Sequence, residues 1–203
     1  MSRKEKYLEK IHALLVEKGV EGWTVESLAK SIGVTKMTLY NNFKDKNEIV
    51  SLIMNYRSNS YRAFFNKLDG AKKNAVAELL MVLDFQQDSP LPQEKTFYQS
   101  FQKAYPGLYR RQQVKLRRML RLFIIENYNR GVAEGIYREG IDVQEIASYL
   151  ISTMDHMFFR WLSEPIQLDL NKTHRHIISY HVRGIANEKG VKILEEELKK
   201  RPE

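Results

Sequence analysis

The chain has 203 residues, of which 43% are hydrophobic, so it can build a substantial core and is not a disordered chain. It carries 33 Lys and Arg against 25 Asp and Glu, and the net charge of +8 favours an anionic partner without fixing the fold. The absence of cysteine excludes a disulfide framework, a thiolate zinc site, an iron–sulfur cluster and a cysteine nucleophile.

The apolar runs of the chain are short. A typical one, residues 79–83, is far below the ~20 apolar residues that a helix needs to cross a bilayer. Residues 1–6 are charged and are followed by no apolar segment, so no signal peptide is expected. These features predict a cytoplasmic protein that does not bind membranes.

Apolar residues recur every three or four positions, which is typical of α-helices. The first stripe ends at Gly19, the second ends at Gly33, and a third, short stripe contains Leu39 and Phe43. A fourth runs from residue 49 towards residue 68. No stretch of six or more residues alternates with the period of a strand, so the predicted fold class is all-α.

The second half of the chain continues the helical pattern. A helix is predicted from residue 74 to about residue 85, then a break at Pro90 and Pro92, then a helix from about residue 93 to residue 105. The Pro106-Gly107 pair predicts a turn.

Three further helices are predicted after this turn. One long helix spans residues 108–134. Asp142 and Glu145 have the spacing of a capping box and predict the start of the next helix, which Pro165 closes. A last helix is predicted from about residue 170 to about residue 190, with a charged tail behind it.

The segment from residue 23 to residue 43 has the pattern of a helix-turn-helix. Thr24 can cap a helix of two turns, Gly33 supplies a left-handed turn residue, and Thr35 can cap the next helix at once. Two short helices joined by a tight glycine turn form this motif, in which the second helix enters the major groove of DNA.

The predicted outer face of the second helix is polar. Its residues are suited to phosphates and base edges, and they are Thr35, Lys36, Thr38, Asn41 and Asn42. The alternative is a plain helical hairpin with a solvated face. The two Thr caps and the hydroxyl of Tyr40, which can donate to a phosphate, favour DNA binding.

Residues 11–50 resemble the DNA-binding domain of the TetR/AcrR family of transcriptional repressors. The resemblance covers about a fifth of the chain, in the family's order and spacing, and rests on Gly19, Trp23-Thr24-Val25, Leu28-Ala29, Ile32-Gly33-Val34-Thr35, Thr38-Leu39-Tyr40, Phe43 and Lys46. The sequence departs from the family at Met37, where a small residue is usual, and at Asn42, where histidine is common.

The resemblance implies a DNA-binding domain over residues 1–48 and a helical effector-binding and dimerisation domain over residues 49–203. It implies a homodimer that binds a palindromic operator and is released from it by a small-molecule effector. Together with the polar face, it assigns DNA contacts to Thr24, Thr35, Lys36, Met37, Thr38, Tyr40, Asn41, Asn42 and Lys46.

Positive charge is not concentrated in the helix-turn-helix region. Residues 1–50 hold nine Lys and Arg against seven Asp and Glu, a net charge of only +2. Residues 110–121 hold six basic residues and no acid. This basic stretch is a solvated helix face, a cationic wall of a ligand cavity, or a surface that meets DNA or a neighbouring dimer.

An effector pocket is predicted among the middle helices, because Met and aromatic side chains adapt to irregular ligands. The candidates, which also suit a plain core, are Tyr98, Phe101, Tyr105, Met119, Phe123, Met154, Met157 and Phe158.

Residues 129–138 also resemble a recurring TetR-family stretch. We interpret Gly131 and Gly135 there as ending a helix, so that Ile136 and Tyr137 enter the core.

Of the last two long helices, the one that begins after Asp142 is apolar on most sides and must therefore be buried on most sides. The family pairs them with their copies in a four-helix dimer interface, which predicts interface residues Trp161, Ile177, Ile178, His181, Gly184 and Ile185. The alternative is a core within one chain.

No metal site and no cofactor are predicted. His174 and His181 share a helix face, but His176 points about 200° away from His174 at ~100° per residue, so one straight helix cannot present all three to one ion.

An enzyme is the rival from another class, but the sequence has no nucleophile elbow, phosphate loop or paired-carboxylate motif. A helical interaction module with lost or ligand-dependent DNA binding is the second alternative.

Overall fold

The computed structural model describes residues 2–70, 73–87 and 95–201, and within them it has ten α-helices. The helices are α1 Arg3–Lys18, α2 Val25–Ile32, α3 Lys36–Tyr40, α4 Lys46–Gly70, α5 Ala75–Gln87, α6 Lys95–Ala104, α7 Pro106–Ala133, α8 Val143–Ser163, α9 Leu170–Ile185 and α10 Glu188–Lys199. The all-α prediction is confirmed. Over the described ranges, no helix is both long and apolar enough to span a membrane.

The chain forms two compact units. The first consists of Met1–Arg62 and Pro92–Lys115, and the second of Ala63–Leu91 and Leu116–Glu203. Helices α4 and α7 contribute residues to both units. The division into domains at residue 48 stays a prediction.

The first unit packs α1, α2, α3 and the start of α4 around a small core. Ile11, Leu28 and Leu39 have at most 1% of their surface exposed. Helix α6 packs on α1, and the Val20 amide at the end of α1 donates to the hydroxyl of Ser100 on α6 at 2.8 Å. This hydrogen bond satisfies a backbone donor at a chain reversal, so it ties α6 to the loop between α1 and α2.

The second unit packs α5, α8, α9 and α10 with the later part of α7 around one apolar core. The ring of Tyr137 lies against Gly131, where a Cβ atom would overlap it. Gly135 has φ +66°, a conformation that L side chains rarely adopt. Gly135 follows the end of α7 as expected, whereas Gly131 lies within α7 and does not end it. Ile136 and Tyr137 are buried, as predicted.

A buried polar cluster joins α5 to α7 in this unit. Asn127 donates to the carbonyl of Ala75 at 2.8 Å, and the carboxylate of Glu134 accepts from the Ala75 amide at 2.9 Å. Tyr137 donates its hydroxyl to Asn127 at 3.3 Å. Because buried polar groups are costly without partners, this cluster specifies how the two helices meet.

The turn predicted at Pro106-Gly107 is wrong. Both residues belong to the first turn of α7, and only Tyr105 separates α6 from α7. Proline is well placed at the first position of a helix, because it lacks an amide that would be unsatisfied there anyway. The predicted break at Pro90 and Pro92 lies outside the described residues, and α6 is described from Lys95.

The prediction of a last helix that ends near residue 190 with a charged tail is also wrong. Helix α9 ends at Ile185, and Asn187 caps a further helix, α10, by accepting from the Gly190 amide at 3.1 Å. At the break, the Asn187 amide donates to the Ile136 carbonyl at 3.1 Å. The chain leaves the helix there to pair with the segment that follows α7. The start of α8 is as expected, since Asp142 accepts from two amides of its first turn.

Gly190 tests this arrangement. A Cβ atom at Gly190 would overlap the carbonyl oxygen of Ile136, which is backbone and cannot swing away. We expect Gly190→Ala to destabilise the fold by about 1–3 kcal/mol through this overlap, measured by chemical denaturation. The matched control is Gly107→Ala, because the nearest atom to a Cβ there is the end of the Arg111 side chain at 4.0 Å. The control should be neutral or stabilising by up to about 1 kcal/mol, and equal effects of the two variants would contradict the close approach.

Candidate nucleic-acid interface

The turn between α2 and α3 is built by its caps and one glycine. Thr24 accepts from the Ser27 amide at 3.0 Å, and Ser27 accepts from the Thr24 amide at 2.9 Å, so α2 begins in a reciprocal capping box. Gly33 ends α2 with φ +75°, and the Val34 amide donates back to the Ala29 carbonyl at 2.9 Å. The chain therefore reverses within three residues, as the helix-turn-helix prediction requires.

Helix α3 starts immediately after this turn. Thr35 accepts from the Thr38 amide at 3.1 Å, and the two Thr hydroxyls lie 2.8 Å apart. Leu39 is fully buried and Phe43 is 2% exposed. These two side chains fix which side of α3 faces inward.

The opposite side of α3 presents the predicted contact residues. Lys36, Met37, Tyr40 and Asn41 are exposed and lie within about 140° of one another around the helix at ~100° per residue. Met37 is a large apolar side chain that is 73% exposed. Thr38 and Asn42 are half-buried, and the Asn42 side chain donates to the Thr38 carbonyl at 2.7 Å.

Lys36 is held by a carboxylate of the same motif. Its ammonium forms an ion pair with Glu26 on α2 and lies 5.8 Å from the centre of the Tyr40 ring. The hydrogen bond with Glu26 raises the pKa of Lys36, and the same bond lowers the pKa of Glu26. Both side chains are about half exposed, so solvent and salt can compete for the pair.

Lys46 has a partner that the sequence does not reveal. Its ammonium donates to the Trp23 carbonyl at 2.7 Å and lies 4.4 Å from the centre of the Trp23 ring. The contact fixes the loop that leads into Thr24. Lys4 is a second cation used within the domain, because it pairs with Glu48 of α4 at 3.0 Å. Such pairs depend on tertiary contacts and leave no periodic signal in the sequence.

The predicted effector-pocket residues divide between the two units. Tyr98, Phe101 and Tyr105 lie in the first, where Tyr98 and Phe101 are buried and Phe101 stacks on Phe97. The second contains Met119, Phe123, Met154, Met157 and Phe158, all half-buried. The pocket stays a prediction.

The predicted dimer residues differ in exposure. Trp161, Ile178 and Ile185 are buried in the core of their own chain, Ile177 and His181 are half-buried, and Gly184 is exposed. Three aromatic residues of α8 and α9 that the sequence analysis did not select are instead exposed: Tyr149 at 71%, Phe159 at 56% and Tyr180 at 75%. Exposed aromatic side chains on neighbouring helices are typical of an interface.

The histidines do not converge. Burial lowers the pKa of His174 and that of His181 to about 4, so both are neutral near pH 7. His176 is exposed on the other side of α9. Across the parts of the chain that the structure describes, no three His, Asp or Glu side chains are placed to hold a metal ion.

Comparisons with known proteins agree with this geometry. The sequence model of the family described as bacterial regulatory proteins, tetR family, matches residues 8–53. A TetR transcription regulator from Haloarcula marismortui has a TM-score of 0.73 and 16% identity, with 91% of this chain and 98% of that chain covered. No curated protein matches the chain in sequence.

Two further solved structures share the fold. SmeT, the repressor of the Stenotrophomonas maltophilia multidrug efflux pump SmeDEF, has a TM-score of 0.69 and 18% identity, with 93% of this chain and 92% of that chain covered. The ketosteroid transcriptional regulator KstR2 of Mycobacterium tuberculosis has a TM-score of 0.60 and 21% identity, with 92% of this chain and 96% of that chain covered.

The pairing of Lys36 with Glu26 generates a prediction. A lysine that contacts DNA must first leave its carboxylate, so Glu26→Gln should tighten DNA binding severalfold and steepen its salt dependence. The measurement is a fluorescence-anisotropy titration with duplex DNA at several salt concentrations. In a Lys36→Met background the same Glu26→Gln change should have little effect, since no lysine remains to be released. An equal gain in both backgrounds would mean that Glu26 only repels phosphates and does not hold Lys36.

Proposed function

We propose that this chain, a member of the TetR family of transcriptional regulators, binds a palindromic operator as a homodimer and is released from it by a small-molecule effector. The observation that carries the proposal is the exposed face of α3, held outward by the buried Leu39 and Phe43. The repressor SmeT shares the fold, which supports repression as the mode of regulation.

Each exposed residue of α3 suits a different part of DNA. The Tyr40 hydroxyl can donate to a phosphate, and Lys36 can reach a phosphate or the acceptor edge of guanine. Met37 is apolar and exposed, so it suits the methyl group of thymine. Thr24 and Thr35 lie at the starts of α2 and α3, where small hydroxyl side chains approach the backbone. Lys46 fixes the Trp23 loop, and its contact with the DNA backbone stays a prediction.

The homodimer is proposed to form through α8 and α9. Their outward sides carry Tyr149, Phe159, Tyr180 and the exposed Gly184. Burying such rings between two copies removes a large apolar area from water and needs no rearrangement of the core beneath. The two-fold symmetry of the pair would match a palindromic operator.

Release by an effector requires a ligand that binds the DNA-free conformation more tightly. Helix α4 is continuous from Lys46, next to α3, to Gly70 in the second unit. We propose that a ligand in the second unit tilts α4 and shifts the two α3 helices away from the spacing of about 34–36 Å that one turn of DNA needs.

The test of function is recovery of specific DNA. The protein is incubated with fragments of its source genome at ~0.15 M salt with excess competitor DNA, and the bound fragments are sequenced. We expect one palindromic sequence to be enriched. Tyr40→Phe should weaken binding to every sequence alike, and Lys36→Ala should change the preferred sequence if Lys36 reads a base. A lack of any enrichment would favour the interaction-module alternative.

The dimer proposal predicts that one variant loses both dimerisation and operator binding, whereas another loses only DNA binding. Tyr180→Glu places a charge in the proposed interface and should give a monomer in sedimentation analysis, with loss of specific operator binding. The matched control is Met37→Glu, the same kind of change at an equally exposed side chain on α3. It should weaken DNA binding and leave the dimer intact. A dimer that survives Tyr180→Glu would contradict the proposed interface.

A further inference from the structure

We propose that the cleft between α7 and α8 in the second unit binds a small molecule that bears a phosphate or carboxylate group. The cleft has a volume of about 410 Å³, within the size range of small-molecule sites. The cleft is lined by Ile151 and by the polar side chains of Arg117, Arg118, Arg121, Ser148, Ser152 and Asp155. Three guanidinium groups face one carboxylate in this lining, so the cleft is strongly positive.

Arg121 is oriented without being neutralised. Its guanidinium donates to the Ser148 hydroxyl at 2.8 Å and to the Gln144 side-chain oxygen at 3.2 Å. Both acceptors are uncharged, so these hydrogen bonds hold the group across the two helices and leave its positive charge uncompensated. A fixed guanidinium loses little entropy when an oxyanion binds, and its planar donors match carboxylate and phosphate oxygens.

The other two arginines differ in their partners. Arg117 pairs with Asp155 at 2.6 Å. Burial raises the pKa of the Asp155 carboxyl, and the neighbouring Arg117 lowers it by a smaller amount. Asp155 is therefore partly enclosed in the wall of the cleft. Arg118 is exposed and has no carboxylate partner within residues 2–70, 73–87 and 95–201. It is therefore available to a ligand from solvent.

These contacts distinguish the cleft from a helix face whose arginines are simply solvated. On such a face, arginines extend into water and touch nothing on a neighbouring helix. Here Arg117 and Arg121 both cross to α8, and Arg118 lines the same cleft. An oxyanion that bridges Arg118 and Arg121 would balance the positive charge that no carboxylate of the cleft neutralises.

The test measures binding directly, without DNA, so it does not depend on the proposed regulatory function. The full chain is titrated with sodium phosphate, and separately with sodium citrate, by isothermal titration calorimetry at ionic strength held constant with sodium chloride. Saturable binding of either anion is expected. Heat no greater than that of the chloride blank for both anions would overturn the proposal.

Three variants locate the site. Arg118→Gln removes an exposed guanidinium and should weaken anion binding by about tenfold or more. Asp155→Asn should strengthen it, because it removes the one negative charge of the cleft and frees Arg117. The matched control is Arg110→Gln, an exposed arginine of α7 outside the cleft, which should leave the affinity unchanged. An equal loss in Arg110→Gln and Arg118→Gln would mean general charge attraction and would overturn the assignment.

A DNA titration distinguishes a free anion from the DNA backbone as the source of the oxyanion. Arg118→Gln should leave the salt dependence of DNA binding unchanged if the cleft takes a small molecule. A decrease of about one in the slope of log affinity against log salt would assign Arg118 to a DNA phosphate and contradict the proposal.

Discussion

The burial of Leu39 and Phe43 determines the functional surface of this chain. Helix α3 has only five residues, and a helix of that length is unstable alone because its nucleation cost is not recovered. It forms because it packs on α2 and both side chains are buried. The same burial leaves Lys36, Met37 and Tyr40 exposed on the other side. One packing constraint therefore both stabilises the helix and determines which residues face solvent.

Three lysines in and around the predicted DNA-binding face have partners within the protein. Lys4, Lys36 and Lys46 each have a partner in the same unit, and residues 1–50 carry a net charge of only +2. Binding must therefore exchange internal pairs for contacts with phosphates, which makes affinity sensitive to the strength of those pairs. In the second unit, Arg121 donates only to the uncharged Ser148 and Gln144 side chains, beside Arg118 in the same cleft.

The second unit is held together by close packing and buried hydrogen bonds. The Gly131–Tyr137 contact and the Asn127 hydrogen bonds fix α7 against α5 and the chain that follows. A ligand can change the conformation of such a body only by preferring one of its arrangements. Helices α4 and α7 each contribute residues to both units.

The sequence alone determined the all-α class, the helix-turn-helix and the residues that α3 presents, because helical periodicity, Thr caps and a turn glycine are local signals. It did not determine which apolar residues of α8 and α9 are buried, since a helix that is apolar on most sides does not specify its partner. Only tertiary packing buries Trp161 and Ile178 and exposes Tyr149 and Tyr180. It also ends α9 at Ile185, because the Ile136 carbonyl takes the Asn187 amide, and it couples Lys46 to Trp23. These contacts join residues that are distant in sequence, and no local pattern encodes them.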